Sequence, residues 1–168
     1  RSPELLRVVR KSPQTMAELS AILGEEFDVI HYAGHASYAG EGITGWVLPD
    51  GTVLTGVELR SLSGRAPSFV FANACSAAGM TGLAESRSGD LAETFLTWGV
   101  AAYLGTLWEI NDDAGADFAR VFYRDLLSGE GLADSVNAAR AALLRRAGIS
   151  WANYVLYGDP DLRLIRSD

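Results

Sequence analysis

The chain has 168 residues, enough for one domain with a sizeable hydrophobic core. Its 14 basic and 21 acidic side chains give a formal net charge of −7 without a basic cluster, so no direct nucleic-acid partner is expected. The longest apolar run, Val100–Leu107, is too short to cross a bilayer. The single cysteine excludes an internal disulfide and is typical of a reducing compartment. We therefore expect a cytoplasmic protein with no membrane contact.

The N-terminal part of the chain predicts a strand, a helix and a second strand. The segment LLRVVR, residues 5–10, has the apolar character of a short strand. Thr15 and Glu18 form a capping-box pattern, which predicts a helix that ends at about Leu23. FDVIHYA, residues 27–33, has the composition of a buried strand.

Turn chemistry marks a hairpin in the next segment. Residues 45–62 contain Pro-Asp-Gly at 49–51, which predicts a small hairpin. Thr55 and Glu58 again form a capping pattern and predict a short helix. PSFVFANA, residues 67–74, is a nearly continuous apolar run of the kind found in a parallel sheet buried on both faces.

The second half of the chain predicts three helices and two strands. A polar, glycine-containing loop precedes a helix over about 91–98 and a strand over 100–108. Two amphipathic helices follow Asn111, and a last strand lies at 153–157. Alternating strands and helices predict an α/β fold with parallel connections.

Two chemically reactive side chains follow two of the predicted strands. His35 comes directly after the strand at 27–33 and its glycine, and Cys75 comes directly after the strand at 67–74. In an open parallel sheet, ligands bind outside the carboxyl ends of the strands. An imidazole beside a thiol lowers the thiol pKa and makes the sulfur nucleophilic. His35 and Cys75 are therefore a candidate catalytic pair, whereas a buried, inert Cys75 is the alternative.

The second histidine and the possibility of a metal site have simpler interpretations. His31 lies inside its predicted strand, where we expect a hydrogen-bonded core histidine that can at most support His35 from behind. No spacing of histidine and cysteine typical of a metal site is present, so no metal is expected.

The motifs HYAGHA and NACSA resemble the histidine and cysteine motifs of clan CD, the caspase-like cysteine peptidases. FDVIHYAGHA, LPDGTVLTGVEL, FVFANACSA, GVAAYLGTLWEINDDAGADF and NYVLYGDPDLRL together resemble a bacterial CHAT domain, a caspase-like domain related to separase. The resemblance runs from about residue 6 to residue 165. It implies that residues 1–168 form one CHAT domain, part of a larger protein. Its fold would be a three-layer sandwich, a mostly parallel central sheet flanked by helices, truncated at the N-terminus by one strand and one helix.

The resemblance also implies roles for individual residues. Cys75 would be the nucleophile of a thiol protease and His35 the general base and acid, acting as a dyad through a thioester and without a cofactor. The backbone N–H groups of Ala36 and Cys75 would bind the oxyanion. Ala36 takes the place of a glycine that many relatives have.

Four residues are candidates for substrate binding. Asn73 stands where metacaspase-like relatives often have an aspartate, so a basic residue before the cleaved bond is not supported. The other candidates are Trp108, Glu109 and Asp112. Trp108 alternatively packs in the core, and Asp112 alternatively caps a helix.

The remaining expectations concern regulation and competing functions. We expect a protein substrate, and control by a sensor or repeat domain, on the same polypeptide or separate from it, in bacterial antiviral defence or cell death. The loop Ala77–Asp90 is a candidate gating or processing segment, and Asp159 is expected in a turn. A catalytically silent scaffold is the main alternative. A nucleotide-binding domain lacks support because no glycine-rich phosphate loop or Walker lysine is present.

Overall fold

A computed structural model describes residues 6–39, 43–61, 64–76, 88–108, 110–145 and 148–165. The elements in chain order are α1 (Met16–Leu23), β1 (Val29–Ala39), β2 (Ile43–Val47), β3 (Val53–Leu54), α2 (Gly56–Arg60), β4 (Phe69–Ser76), α3 (Ser88–Trp98), β5 (Ala102–Thr106), α4 (Asp112–Leu127), α5 (Leu132–Leu144), a 3-10 helix (Gly148–Asn153) and β6 (Tyr154–Gly158). No helix in these described ranges is both long enough and apolar enough to span a membrane.

The strands form one sheet in the order β3-β2-β1-β4-β5-β6. The central strands β1, β4 and β5 are parallel neighbours. The pairs β1–β2, β2–β3 and β5–β6 are antiparallel, so four of the six strands run in the same direction. The sheet is therefore mostly parallel, as expected, and the antiparallel β2–β3 pair confirms the hairpin predicted around residues 49–51. At the edges of the sheet a hairpin continues β1, and β6 folds back along β5.

Helices cover both faces of the sheet and give an α/β sandwich. Strand β4 shows the reason most clearly, because its alternate residues enter two separate cores. Phe69 and Phe71 pack with α4 and α5, whereas Val70 and Ala72 pack with α1, α2 and α3. A strand buried on both faces needs apolar residues at every position, which explains the continuous apolar run.

Local capping chemistry fixes the helix starts. The side chain of Thr55 accepts a hydrogen bond at the start of α2, and Glu58 completes the capping box. Thr15 caps α1 by accepting from the N–H of Glu18, but the Glu18 carboxylate accepts from the N–H of Gln14 and not from that of Thr15. Both helices were predicted, and the first has only half of its expected capping box.

The predicted strand over 5–10 is wrong within the described residues. Residues 6–10 have no regular structure, and their apolar side chains Leu6, Val8 and Val9 are exposed. The apolar pattern is that of a strand, but a strand also needs a neighbour for its backbone hydrogen bonds. The described part of the chain supplies none for this segment.

Strand β1 is longer than predicted and has different neighbours along its length. It continues past Ala33 to Ala39, because residues 35–39 pair with 43–47 of β2. Over residues 29–36 it also pairs with β4. The segment that carries His35 is therefore bonded to a strand on each side.

Candidate catalytic site

The parallel pairing of β1 and β4 brings the two candidate catalytic residues together. His35 is the register partner of Cys75, and Ala36 is the partner of Ser76. Adjacent strands lie about 4.8 Å apart, so positions 35 and 75 are as near as two strands allow. Sequence placed Cys75 just after its strand, whereas β4 runs through Ser76. Both residues therefore sit within paired strand backbone, near the end of the parallel β1–β4 pairing at Ala36 and Ser76, while β1 itself continues to Ala39.

The Tyr32 hydroxyl donates a hydrogen bond to the backbone carbonyl of His35, while the side chain of His35 is exposed. The Tyr32 hydroxyl lies 2.9 Å from the carbonyl oxygen of His35 and 3.0 Å from that of Val47, the register partner of His35 on β2. The Tyr32 ring is stacked on Trp46 with 4.3 Å between centroids and 7° between planes. Burial raises the pKa of Tyr32 to about 12, so the hydroxyl is a neutral donor at physiological pH.

Gly34 is required between Tyr32 and His35 for a steric reason. A Cβ atom at position 34 would lie 2.7 Å from the Tyr32 hydroxyl oxygen and 2.8 Å from the ring carbon that bears it. The ring of Tyr32 extends along β1 toward position 34 and fills the space that a side chain there would occupy. This close approach explains the glycine that precedes the histidine.

Asn73, two residues before Cys75, is half-buried between β4 and α4. Its Oδ1 accepts a hydrogen bond from the Tyr154 hydroxyl at 3.3 Å. A Cβ atom added to Gly115 of α4 would lie 2.9 Å from Nδ2 of Asn73. The glycine therefore lets α4 approach the strand at the level of Asn73. Binding of substrate by Asn73 stays a prediction.

The segment after β5, which contains Trp108, is held by the buried side chain of Asn153. The Oδ1 atom of Asn153 accepts from the N–H groups of Leu107 and Trp108, each at 2.8 Å, and its Nδ2 donates to the carbonyl of Trp108 at 2.8 Å. Trp108 itself is half-buried. It is therefore neither fully exposed nor fully packed in the core. Its role in a substrate groove stays a prediction.

Asp112 is the first residue of α4 and is exposed. The cap of α4 is Asn111, whose Oδ1 accepts from the N–H of Ala114 at 2.8 Å. Asp112 and Asp113 lie in the first turn, where carboxylates interact favourably with the helix dipole. Sequence reasoning assigned the capping bond to the carboxylates, and the neighbouring asparagine makes it.

Two predicted features fall wholly or partly outside the described residues. Glu109 is one of them, and residues 77–87 of the predicted loop are the other. Residues 88–90, which were also assigned to that loop, belong to the first turn of α3. Asp159 lies in a turn as expected, where its Oδ1 accepts from the N–H of Asp161 at 2.9 Å.

His31 differs from its prediction as a hydrogen-bonded core histidine. Its ring stacks on Phe71 with 4.4 Å between centroids and approaches Tyr123 at 5.5 Å, but the residue is exposed overall. Partial burial against these rings lowers the pKa of His31. His31 lies about 13 Å along the strand from His35, too far to support it directly. No group of three or more potential metal ligands occurs among the described residues.

Sequence reasoning missed Tyr32, Asn153 and Tyr154, which are among the described side chains that hold the backbone or side chains around the candidate pair. Asn153 and Tyr154 lie in the motif NYVLY, which was assigned only as strand. Their partners lie 45 and 81 positions away in the chain. The one available signal was the presence of polar atoms in an otherwise apolar run, because buried polar groups need partners.

Comparison with known proteins places this sheet in a family. No curated protein gave a significant match to the chain. The family model described as CHAT domain matches residues 2–159, which is most of the chain and includes both His35 and Cys75. The chain therefore belongs to the CHAT domain family.

Proposed function

We propose that this domain is a caspase-like cysteine endopeptidase, with Cys75 as nucleophile and His35 as general base and acid. The observation that carries the proposal is the register of β1 and β4, which pairs His35 with Cys75. Residues directly opposite on neighbouring strands share one face of the sheet, so this register supports a common site for an imidazole at position 35 and a thiol at position 75. The CHAT domain family is associated with caspase-like proteases, which supports the same chemistry.

The proposed reaction has two stages. His35 takes the thiol proton of Cys75, and the sulfur attacks the carbonyl carbon of the cleaved peptide bond. The backbone N–H groups of Ala36 and Cys75 stabilise the oxyanion. The intermediate collapses to a thioester as His35 gives its proton to the leaving amine. Water, deprotonated by His35, then attacks the thioester, and the thiol regains its proton from His35 as the carboxylic acid product leaves.

The substrate in this proposal is a protein segment that contacts Asn73, Trp108, Glu109 and Asp112. Asn73 is neutral and its Oδ1 already accepts from Tyr154, so it offers no carboxylate to a basic side chain. We therefore do not favour cleavage after Lys or Arg. Release from a sensor or repeat domain, with the Ala77–Asp90 loop as gate or processing site, is the regulation that fits a cytoplasmic bacterial defence protease.

A peptide-library cleavage profile tests the proposal. Wild type should cleave a defined subset of peptides, and Cys75→Ala and His35→Ala should each abolish cleavage. His31→Ala is the matched control, because it removes the other histidine of the same strand and should retain activity. Cleavage that survives Cys75→Ala would overturn the proposed mechanism. A wild type that cleaves nothing, and whose Cys75 reacts with iodoacetamide no faster than a free thiol, would favour the catalytically silent scaffold.

A further inference from the structure

We propose that the exposed end of α5 and the 3-10 helix before β6 bind the protein substrate at a distance from the cleaved bond. Four residues, Leu144, Arg145, Ile149 and Trp151, make up what we call the α5–β6 surface. It fits a substrate segment that carries apolar side chains and an acidic one. The inference rests on the proposed function, because it takes the bond attacked by Cys75 as its reference point.

The apolar residues of the α5–β6 surface are concentrated and exposed. Seven large apolar side chains are exposed among the described residues, and three of them lie within residues 144–151. The exposed fractions of Leu144, Ile149 and Trp151 are 60%, 74% and 38%. Because the 3-10 helix packs against α5, all three lie at one end of that helix. Single exposed apolar residues are common, whereas a concentration that includes tryptophan and arginine is typical of binding surfaces.

The topology of the sheet places the α5–β6 surface at the edge that Cys75 occupies. Strand pairing sets Leu104 of β5 beside Phe71 of β4 on one side and Leu156 of β6 on the other. Strands β4 and β5 are parallel, and β6 runs in the opposite direction. The 3-10 helix that precedes β6 therefore lies at the carboxyl ends of β4 and β5, where ligands of such sheets bind.

Hydrogen bonds across the strands give the distance from the nucleophile. Ala74, the neighbour of Cys75, accepts from the Thr106 hydroxyl, and the N–H of Leu107 donates to the carbonyl of Asn153. Asn153 ends the 3-10 helix and is therefore about level with Ala74, two strands away. Two strand spacings amount to about 10 Å, which an extended peptide covers in about three residues. A substrate side chain three or four positions from the cleaved bond thus reaches the surface.

The charge of the α5–β6 surface favours a substrate carboxylate. Residues 135–158 contain three arginines and no acidic residue, although the chain has a formal net charge of −7. Arg145 is exposed and forms no ion pair within the described ranges. The exposed carboxylates of Asp112 and Asp113 lie at the start of α4, so a substrate carboxylate is favoured beside Arg145 and disfavoured toward α4.

A protein segment fits these features better than a lipid surface. Apolar side chains beside arginine also occur on proteins that bind anionic membranes. The net charge of −7 opposes an approach to such a membrane, whereas it does not prevent a short peptide from reaching one basic residue. We therefore assign the surface to the substrate and treat membrane binding as an outcome of the test.

Ile149→Ser and Arg145→Glu test the inference, because both side chains are exposed and their replacement should leave the fold intact. Val57→Ser is the matched control for the first: Val57 is 60% exposed and belongs to α2, on the other face of the sheet. Arg10→Glu is the control for the second, with the same change of charge before α1. Each variant of the full chain is assayed with the best library peptide and with a shortened form that ends before the distal positions.

Ile149→Ser should raise KM for the long peptide about tenfold, the effect of losing one buried apolar contact, and leave kcat and the short peptide unchanged. Arg145→Glu should reverse the preference for an acidic side chain at the distal position. Equal losses for long and short peptides, or effects equal to those of Val57→Ser and Arg10→Glu, would overturn the inference.

Binding measurements separate this inference from the proposed function. Labelled long peptide is titrated with Cys75→Ala protein, which should bind it without cleavage, and with the same protein carrying Ile149→Ser, which should bind about tenfold more weakly. If wild type cleaves nothing, the proposed function fails, and equal binding by the two proteins would overturn the inference as well. Binding to phosphatidylserine vesicles that is lost with Ile149→Ser would assign the surface to a membrane and also overturn it.

Discussion

The hydroxyl of Thr106 donates a hydrogen bond of 2.7 Å to the carbonyl of Ala74, the residue that precedes Cys75. The backbone pairing of β4 with β5 covers Phe69 to Phe71, three residues earlier in β4. Beyond that point the Thr106 side chain links the two strands. Because both residues are buried, this bond fixes the backbone of β4 immediately before the candidate nucleophile.

Thr106→Val should lower the free energy of unfolding by about 1–2 kcal/mol, since it removes one buried hydrogen bond and preserves side-chain shape. Urea denaturation measures the change. Thr97→Val is a suitable control, because Thr97 is exposed on α3 and should shift the midpoint very little. Equal shifts for the two variants would contradict the importance of the Thr106 bond.

Gly34→Ala should destabilise the fold by about 1–3 kcal/mol, because the new methyl group and the Tyr32 ring cannot both keep their places. Thermal unfolding measures the loss, and Tyr32→Leu combined with Gly34→Ala should cost less than the sum of the two changes. Gly131→Ala serves as control, since a Cβ there meets its nearest atom at an ordinary 3.5 Å. Additive costs at positions 32 and 34 would mean that the two do not compete for space.

Gly115→Ala should move the carboxamide of Asn73, because the added Cβ would approach Nδ2 to 2.9 Å. If Asn73 contacts substrate, KM for the best library peptide should rise severalfold and the preferred side chain at the cleavage site should change. Asn73→Ala should alter the same preference. Ala114→Ser, a change of similar size one position earlier on α4, should leave the preference alone, and a profile unchanged in Gly115→Ala would remove Asn73 from the substrate site.

Asn153→Ala should release the backbone of residues 107 and 108, since three side-chain hydrogen bonds are lost at a fully buried position. The expected cost is about 2–4 kcal/mol, because the N–H and C=O of Trp108 lose their Asn153 partners, whereas the N–H of Leu107 also donates to the backbone carbonyl of Asn153 and keeps that bond. Hydrogen exchange gives the local measurement: the amide of Trp108 should exchange faster, with a smaller change at Leu107, while that of Tyr103 in β5 should change only with global stability. Uniform acceleration along β5 would argue against a local clamp.

The lowered pKa of His31 predicts a contribution to acid sensitivity. The unfolded chain binds a proton at His31 near pH 6.5, whereas the folded protein binds it only at lower pH. The stabilising effect is therefore complete above about pH 6.5 and is lost as the pH falls through the folded pKa.

His31→Phe removes the titration and keeps a ring on Phe71, with Tyr123 as the facing group of α4. Urea unfolding of both proteins between about pH 5 and pH 8 measures the difference. The advantage of the variant over wild type should grow as the pH falls. A difference that is constant over this interval would contradict the predicted effect of burial.

Local chemistry made much of the fold predictable from sequence. The buried run of β4, the turn at Pro49-Asp50-Gly51 and the capping residue Thr55 each depend on residues close together in the chain. The strand predicted over 5–10 failed because pairing depends on a distant partner. Segments with a strand pattern become strands only where another strand meets them.

The candidate pair could be predicted, but its supports could not. His35 and Cys75 each follow an apolar run, and the end of such a run marks a functional edge of the sheet, although β1 itself continues to Ala39. Tyr32 and Asn153 act through backbone carbonyls and amides that any residue carries, so their partners leave no trace in the sequence. The ring contacts of the exposed His31 could not be predicted either, because they depend on how far α4, which carries Tyr123, covers β1.

The pairing of His35 with Cys75 depends on the number of residues that precede each of them in its strand. The site is therefore more sensitive to insertions and deletions in β1 and β4 than to substitutions there. Side chains alternate between faces, so removal of one residue between Val29 and Gly34 would turn position 35 to the opposite face and shift its partner. Substitutions that keep the number of residues, and that keep a glycine at position 34, preserve this register. Descendants of this sequence can therefore vary widely in what they recognise, provided that their insertions and deletions fall in the loops and never between a strand's first residue and its reactive one.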